Sequence, residues 1–245
     1  MPPLTPLILP KSHPDPVEFQ TLLNRYKSFR LSSLLLSPSC FGSTHAREVA
    51  YPPEKWTSRL TDPLATTIVI YEDASPAGTS TSIDSAASTT SSPSPTDENS
   101  LLDNALTAEW LAILTISGPL DPQTLTTSLH LDPSLVDFGP TQQTSPDIPL
   151  KQYVINGMFV IPSARGKKLG TKLLEYAKAY VTAKVRTQGQ GKGEARISLI
   201  VDYDNESARK TYERSEFEVV HRYWFDDYRE GRESRTEAAV MVLDL

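Results

Sequence analysis

The most constraining feature of this chain is a run of thirteen residues, Phe159-Val160-Ile161-Pro162-Ser163-Ala164-Arg165-Gly166-Lys167-Lys168-Leu169-Gly170-Thr171. An apolar strand stops at Pro162, a glycine-containing turn follows, and a helix begins. The first turn of a helix has N–H groups with no intrahelical partner, set at the positive end of the dipole. Glycines let an anion approach that backbone without a Cβ in the way. Arg165, Lys167 and Lys168 add formal positive charge at the same place. The combination predicts a pyrophosphate cradle, although on its own it is equally what simple helix capping produces.

Other phosphate motifs fit badly. The ATP-type loop needs Gly, four residues, then Gly-Lys-Ser/Thr. Here three residues separate Gly166 from Gly170, and Thr171-Lys172 follow in the reverse order. The dinucleotide GxGxxG is absent.

Charge is unevenly spread. The chain has 24 basic and 30 acidic residues, a net −6. Between Arg59 and Lys151 there are twelve acidic residues and no Lys or Arg. From Lys151 to Arg196 there are ten basic residues against Glu175 and Glu194. Such a block suits an anionic ligand or a solvated helix face. Aromatic residues are not interleaved with it, which speaks against a nucleic-acid surface.

Cys40 is the only cysteine, so no intrachain disulfide is possible and no zinc site can rest on cysteine pairs. The four histidines (His13, His45, His130 and His221) are scattered without metal-ligand spacing. No metal is expected. No apolar run approaches the roughly 20 residues that span a bilayer, and no membrane partner is expected. The first ten residues lack a basic region and are broken by proline, unlike a signal peptide. A reducing cytoplasmic or nuclear setting is expected.

Periodicity predicts one α/β domain over 1–245 on a mixed, mostly antiparallel sheet flanked by helices. Expected strands are 6–9, 66–71, 110–116, 153–161 and 197–201, with a hairpin-like pair at 218–225 and 238–243. Expected helices are 16–27, a segment near 46–60, 168–186 and 205–214. Asp121-Pro122 and Asp132-Pro133 each read as an N-cap with proline at N1. Two insertions interrupt this order. One, at 74–108, is low-complexity: fourteen of the 27 residues in 74–100 are Ser or Thr, with three prolines, so it is expected to be disordered. The other, 120–150, is irregular.

A second element narrows the ligand. The strand at 197–201 runs into a helix on which Asn205, Ala208, Arg209 and Tyr212 share one face. That face offers an amide, a small surface and a phenol to one ligand.

Together these runs resemble the GCN5-related N-acetyltransferases. The family's first motif, Arg/Gln-x-x-Gly-x-Gly/Ala after a strand ending in Val-x-Pro, is similar to Val160-Ile161-Pro162 with Arg165-Gly166-Lys167-Lys168-Leu169-Gly170. The second, Asn-x-x-Ala-x-x-x-Tyr before Gly-Phe, is similar to Asn205, Ala208, Tyr212 and Glu216-Phe217. The two cover roughly 153–217. Phe41-Gly42-Ser43-Thr44, Arg47-Glu48 and Trp56 look like the acceptor-side helix of some members. Two departures stand out: Lys168 replaces the first glycine of the first motif, and Glu216 the glycine before Phe217. Lys168 is expected to donate its N–H from right-handed geometry.

The resemblance implies direct acetyl transfer from acetyl-CoA to an amine. It implies that Met158, Phe159 and Val160 hold the acetyl and pantetheine. Arg165, Gly166, Lys167, Lys168, Leu169, Gly170 and Thr171 would take the pyrophosphate, and Asn205 with Ala208 would line the pantetheine arm. Tyr212 matches the general acid to the leaving thiolate, and its ordinary pKa near 10 keeps it protonated at pH 7. Glu48 is the candidate acceptor-site residue and base. The expected acceptor is a primary amine of a small molecule. The alternatives are protein lysines or N-termini and, from another class, a non-catalytic CoA-binding scaffold. The oligomeric state is left open.

Overall fold

A computed structural model describes residues 4–72, 103, 105–132, 150–188, 193–229 and 232–245. Most of the expected insertion at 74–108, residues 133–149 of the irregular stretch at 120–150, and with them the turn expected after Asp132, lie outside these residues.

Strand β1 (Leu4–Ile8) leads into α1 (Pro16–Leu36). Asp15 caps α1, accepting from the N–H of Val17 at 2.7 Å, with Pro16 as the first helical residue. The helix runs nine residues past the expected 16–27, because Leu34 continues its buried stripe and the Ser33 hydroxyl donates inward to the Arg30 carbonyl. Pro38 then ends it. The segment near 46–60 is two helices rather than one, α2 (His45–Val49) and α3 (Pro53–Thr61). Pro52-Pro53 separates them, and Pro53 sits in the first turn of the second, where no N–H is needed.

After β2 (Ala65–Glu72) come β3 (Trp110–Leu120), α4 (Pro122–Leu129, capped by Asp121 as expected) and β4 (Leu150–Val160). The second half alternates: α5 (Leu169–Gln188), β5 (Glu194–Asp202), α6 (Glu206–Arg214), then the hairpin β6 (Glu218–Asp226) and β7 (Arg235–Asp244). The seven strands lie in the order β1-β2-β3-β4-β5-β7-β6. All pairs are antiparallel except β4–β5, which α5 connects as a crossover.

The sheet is covered on both faces. Leu173, Leu174, Ala177 and Val181 of α5 pack against Ile68, Leu114, Ile197 and Leu199. On the other face, Leu22 and Tyr26 of α1 and Trp56 of α3 pack against Val69, Ile113 and Phe159. Each such buried aliphatic or aromatic side chain contributes about 2 kcal/mol. This two-sided burial makes β2 and β3 read as nearly continuous apolar runs. Among the described residues, no helix is long and apolar enough to cross a membrane.

Candidate active site

The site starts with a fork in the sheet. β4 and β5 pair in parallel only from Leu150↔Glu194 to Val154↔Ser198, while β4 continues to Val160 and β5 to Asp202. From Ile155 onward β4 therefore has a strand partner only on its β3 side. A bulge sits within this stretch: Gly157 and Met158 together oppose the single residue Leu114 of β3. Gly157 takes φ +62°, a conformation in which its missing Cβ matters. The bulge interrupts the β3–β4 ladder; Phe159 stays paired with Ile113 of β3, and the Val160 carbonyl, on the side away from β3, accepts from Arg165 Nε at 3.3 Å.

β4 then empties into the turn singled out in the sequence. Pro162–Ala164 forms a 3-10 turn, and α5 begins at Leu169. The N–H groups of Gly166 to Thr171 form no hydrogen bond of normal geometry among the described residues, and the first α5 bond is Lys172 N–H to the Lys168 carbonyl at 3.0 Å. Six unpaired donors at a helix start, flanked by the exposed Lys167 and Lys168, fit a pyrophosphate. One expectation is corrected here. Lys168 has φ +58°, the left-handed region, not the right-handed one. Glu216 is likewise at φ +69°. The turn geometry is thus kept at both positions where the glycine is missing, at the expense of a Cβ in a region that favours glycine.

Helix α6 closes the fork from the α5 side. Asn205 is its N-cap and accepts from the Ala208 N–H at 3.3 Å, which leaves the side-chain NH₂ free to donate outward. At Gly170, α5 comes close to α6 and β4: a Cβ there would lie 3.3 Å from Thr211 Cγ2 and 3.7 Å from Met158 Cε. Tyr212 is 7 % exposed and packs edge-on to Phe217, with ring centroids 6.0 Å apart. Its phenol forms no hydrogen bond among the described residues. Burial pushes its pKa well above the ordinary value, and the neighbouring Cys40 thiol pushes the same way. Arg209, placed by spacing on the same face, instead turns back to Glu213 at 2.7 Å and onto the Tyr203 ring.

Residues 135–217 match a family model described as Acetyltransferase (GNAT) family. Over these residues the chain is similar to the GNAT acetyltransferases. The matched residues hold both halves of the fork, the turn, and α6 to Phe217. Solved GNAT-type structures align over nearly the whole chain. Arabidopsis thaliana NAA60 with a bisubstrate analogue is 13% identical, with TM-score 0.54 and 98% of each chain covered. The same protein in complex with acetyl-CoA gives 14%, 0.50, and 98% of this chain against 99% of that one. A GNAT-family acetyltransferase from Streptococcus pneumoniae gives 11%, 0.52, and the same coverage. At these identities the likeness is one of fold. No curated protein matches by sequence. The family that these residues match is one of acetyltransferases, that is, of acyl-transferring enzymes.

On the other side of the fork lies a part that local spacing does not reveal. The segment from Ser37 to Phe41, between α1 and α2, runs across the open end of the gap. Arg165 Nη2 donates to Ser37 Oγ at 2.7 Å. Phe41 packs on Phe159 of β4, centroids 6.0 Å apart. Arg229, from the β6–β7 loop, donates through one Nη1 to the carbonyls of Ser39 (3.1 Å) and Phe41 (3.3 Å) and to Asp202 Oδ2 at the end of β5 (2.7 Å). Asp227 grips the same guanidinium at 2.8 and 2.5 Å. These charges lie far apart in sequence, within what reads as a polar loop, so only the folded chain brings them together.

Glu48 has a different place from the one expected. Its side chain is 0 % exposed. It accepts from Arg30 at 2.7 and 3.0 Å and from Arg59 at 2.8 Å, tying α1, α2 and α3 together. Burial alone would raise its pKa, but the hydrogen bonds from Arg30 and Arg59 overcome that and hold it at about 2. A carboxylate with no free surface and so low a pKa is a poor general base. The expectation that Glu48 serves the acceptor directly is corrected to a buried anchor that joins α1, α2 and α3. Among the described residues no group of three His, Cys, Asp or Glu side chains is placed to hold a metal ion.

Proposed function

We propose that the chain passes the acetyl group of acetyl-CoA to the primary amine of a small molecule presented end-on at the β4–β5 fork. The observation that carries this is the convergence, at one gap, of an unpaired β4 edge, unpaired N–H groups at the start of α5, and a buried phenol without a partner. Acetyl-CoA supplies the activated thioester. The N–H groups of Gly166 to Thr171 and the charges of Lys167 and Lys168 hold its pyrophosphate. Main-chain groups of Met158, Phe159 and Val160 orient the thioester arm, and the Asn205 amide donates to it. Tyr212 gives its proton to the leaving sulfur. The acceptor must reach the gap as a neutral amine, its proton passing to solvent, since Glu48 is sequestered.

The bond between Arg229 and the Ser39 and Phe41 carbonyls supports an end-on acceptor. It joins the β6–β7 loop to the α1–α2 segment and closes the path along which an extended polypeptide would lie. The same entrance admits the N-terminus of a polypeptide, which is the second reading. A thiol-release screen with acetyl-CoA over amines, amino acids, aminoglycosides and peptides tests both. Turnover confined to small amines supports the first reading, and turnover confined to peptide N-termini replaces it with the second. No thiol release with any amine overturns both.

A further inference from the structure

Glu48 does not neutralise both of its partners. It is one carboxylate between two guanidiniums, Arg30 at 2.7 Å and Arg59 at 2.8 Å. Among the described residues neither arginine has an ion pair with any other carboxylate. The cluster therefore keeps one positive charge, with Glu48 fully buried and the side chains of Arg30 and Arg59 only 17 % and 29 % exposed. Charge held away from water is costly unless an ion of opposite sign completes it. The two arginines differ in what surrounds them. Arg59 lies over the rings of Tyr51 and Trp56, at 5.1 and 5.3 Å. Arg30 gives Nε and Nη2 to Glu48, and its guanidinium sits over the Phe41 ring at 4.7 Å. Its Nη1 is buried and has no hydrogen-bond partner among the described residues. Such an orphaned donor calls for an acceptor.

The orphan lies at the fork. A Cβ built on Gly157, in the β4 bulge, would lie 3.8 Å from Arg30 Nη1 and, apart from its chain neighbours, would meet no other atom within 4 Å. Gly157 and Asn156 are both exposed. Ile155 packs on the α5 face and Val154 on the opposite one, so alternation along β4 puts Asn156 on the α1 face with Arg30. We infer that Arg30 binds a carboxylate of the acceptor, so that the acetylated amine belongs to an amino-acid-like molecule rather than a polycation. The inference rests on the acetyl-CoA reading of the fork and names the acceptor class for that site. One carboxylate oxygen accepts from Arg30 Nη1, and the Asn156 amide offers a donor to the second. Gly157 is one to three residues from Met158–Val160, about 3–10 Å along a strand. Amine and carboxylate are separated by such a span in an amino acid. The unmatched positive charge also disfavours the protonated amine, in keeping with an acceptor that must arrive neutral.

The test is thiol release by the full chain with acetyl-CoA over the common amino acids, each against its carboxamide and against the amine of the same skeleton without the carboxyl group. At least one amino acid should exceed its amide in kcat/KM by about tenfold to a hundredfold, with the difference mainly in KM. Arg30→Lys keeps a positive charge beside Glu48 but removes Nη1. It should lower that ratio by about tenfold and leave the KM for acetyl-CoA near that of the parent. If Arg30 only held the helices together, Arg30→Lys would slow amino acid and amide alike and keep the ratio. Equal kcat/KM for the parent's amino acids and amides, turnover confined to amines without a carboxylate, or an unchanged ratio in Arg30→Lys would overturn the inference and leave the reading of the fork standing. No thiol release with any amine overturns both.

Discussion

The two sides of the fork are built by different means. On the α5–α6 side, what faces the gap is main chain: the N–H groups of Gly166 to Thr171 and the unpaired edge of β4. Its ion pairs, such as Lys178 with Glu216 at 2.8 Å, lie at the surface, where they contribute little. On the α1–α3 side the geometry rests on buried charge: Glu48 between Arg30 and Arg59, and Arg229 among Asp202, Asp227 and two carbonyls. A site made of backbone tolerates changes of side chain, which is how Lys168 and Glu216 occupy positions of positive φ without loss of the turn. A site made of buried ion pairs does not, because removing one partner strands the other.

The largest expected effect tests Tyr212, the side chain proposed above as the general acid. Tyr212→Phe should lower kcat by about 10²–10⁴-fold while leaving the acetyl-CoA Kd near that of the parent. Unchanged turnover would reduce Tyr212 to packing. Because burial raises the pKa of this phenol, it stays protonated as pH rises. Turnover should therefore climb as the acceptor amine is neutralised and show no decline up to about pH 10, where an ordinary tyrosine ionises.

On the charge-built side, Glu48→Gln should destabilise the fold by about 3 kcal/mol in denaturant titration, since two guanidiniums lose their shared carboxylate. The pH sign follows from the same group. Its folded pKa of about 2 lies below the ordinary glutamate value of about 4.3, so its contribution is full above the latter and is lost as pH falls toward 2. Glu48→Gln should therefore flatten the acid limb of the stability profile. If it instead slowed turnover without destabilising the fold, Glu48 would return as an acceptor-site group.

Smaller changes probe the seam where α5, α6 and β4 meet. Gly170→Val should cost about 1–3 kcal/mol and weaken acetyl-CoA binding in titration, because its branches must displace Thr211 and Met158. Lys168→Gly should be the mildest, raising stability by about 1 kcal/mol as the left-handed residue loses its Cβ. A loss of stability there would mean that Lys168 makes a compensating contact.

The same contrast explains how far the sequence could be read. The α5–α6 side is a local structure: a strand, a turn and a helix start in succession, and a second helix with its cap, all visible as spacing. The run from Val160 to Thr171 and the Asn205–Tyr212 face are placed as that spacing implies, apart from Arg209, which pairs with its own helix. The α1–α3 side depends on contacts between residues far apart in sequence. Arg229 and Ser39 are separated by 190 positions, and no local pattern links them. The burial of Glu48 is not legible in its own helix, because the two arginines that pair with it come from other helices. The β4 bulge at Gly157 was equally hidden, since a bulge is a property of two strands and not of one.

The central claim is that the fork holds acetyl-CoA through its pyrophosphate on a backbone-built turn. Calorimetric titration of the full chain with acetyl-CoA and, separately, with acetyl-pantetheine (which lacks the pyrophosphate) tests it most directly. One acetyl-CoA per chain is predicted, with acetyl-pantetheine binding at least about tenfold more weakly, since charge-assisted hydrogen bonds are among the stronger ones. Equal affinity for the two, or no heat with acetyl-CoA, would contradict it.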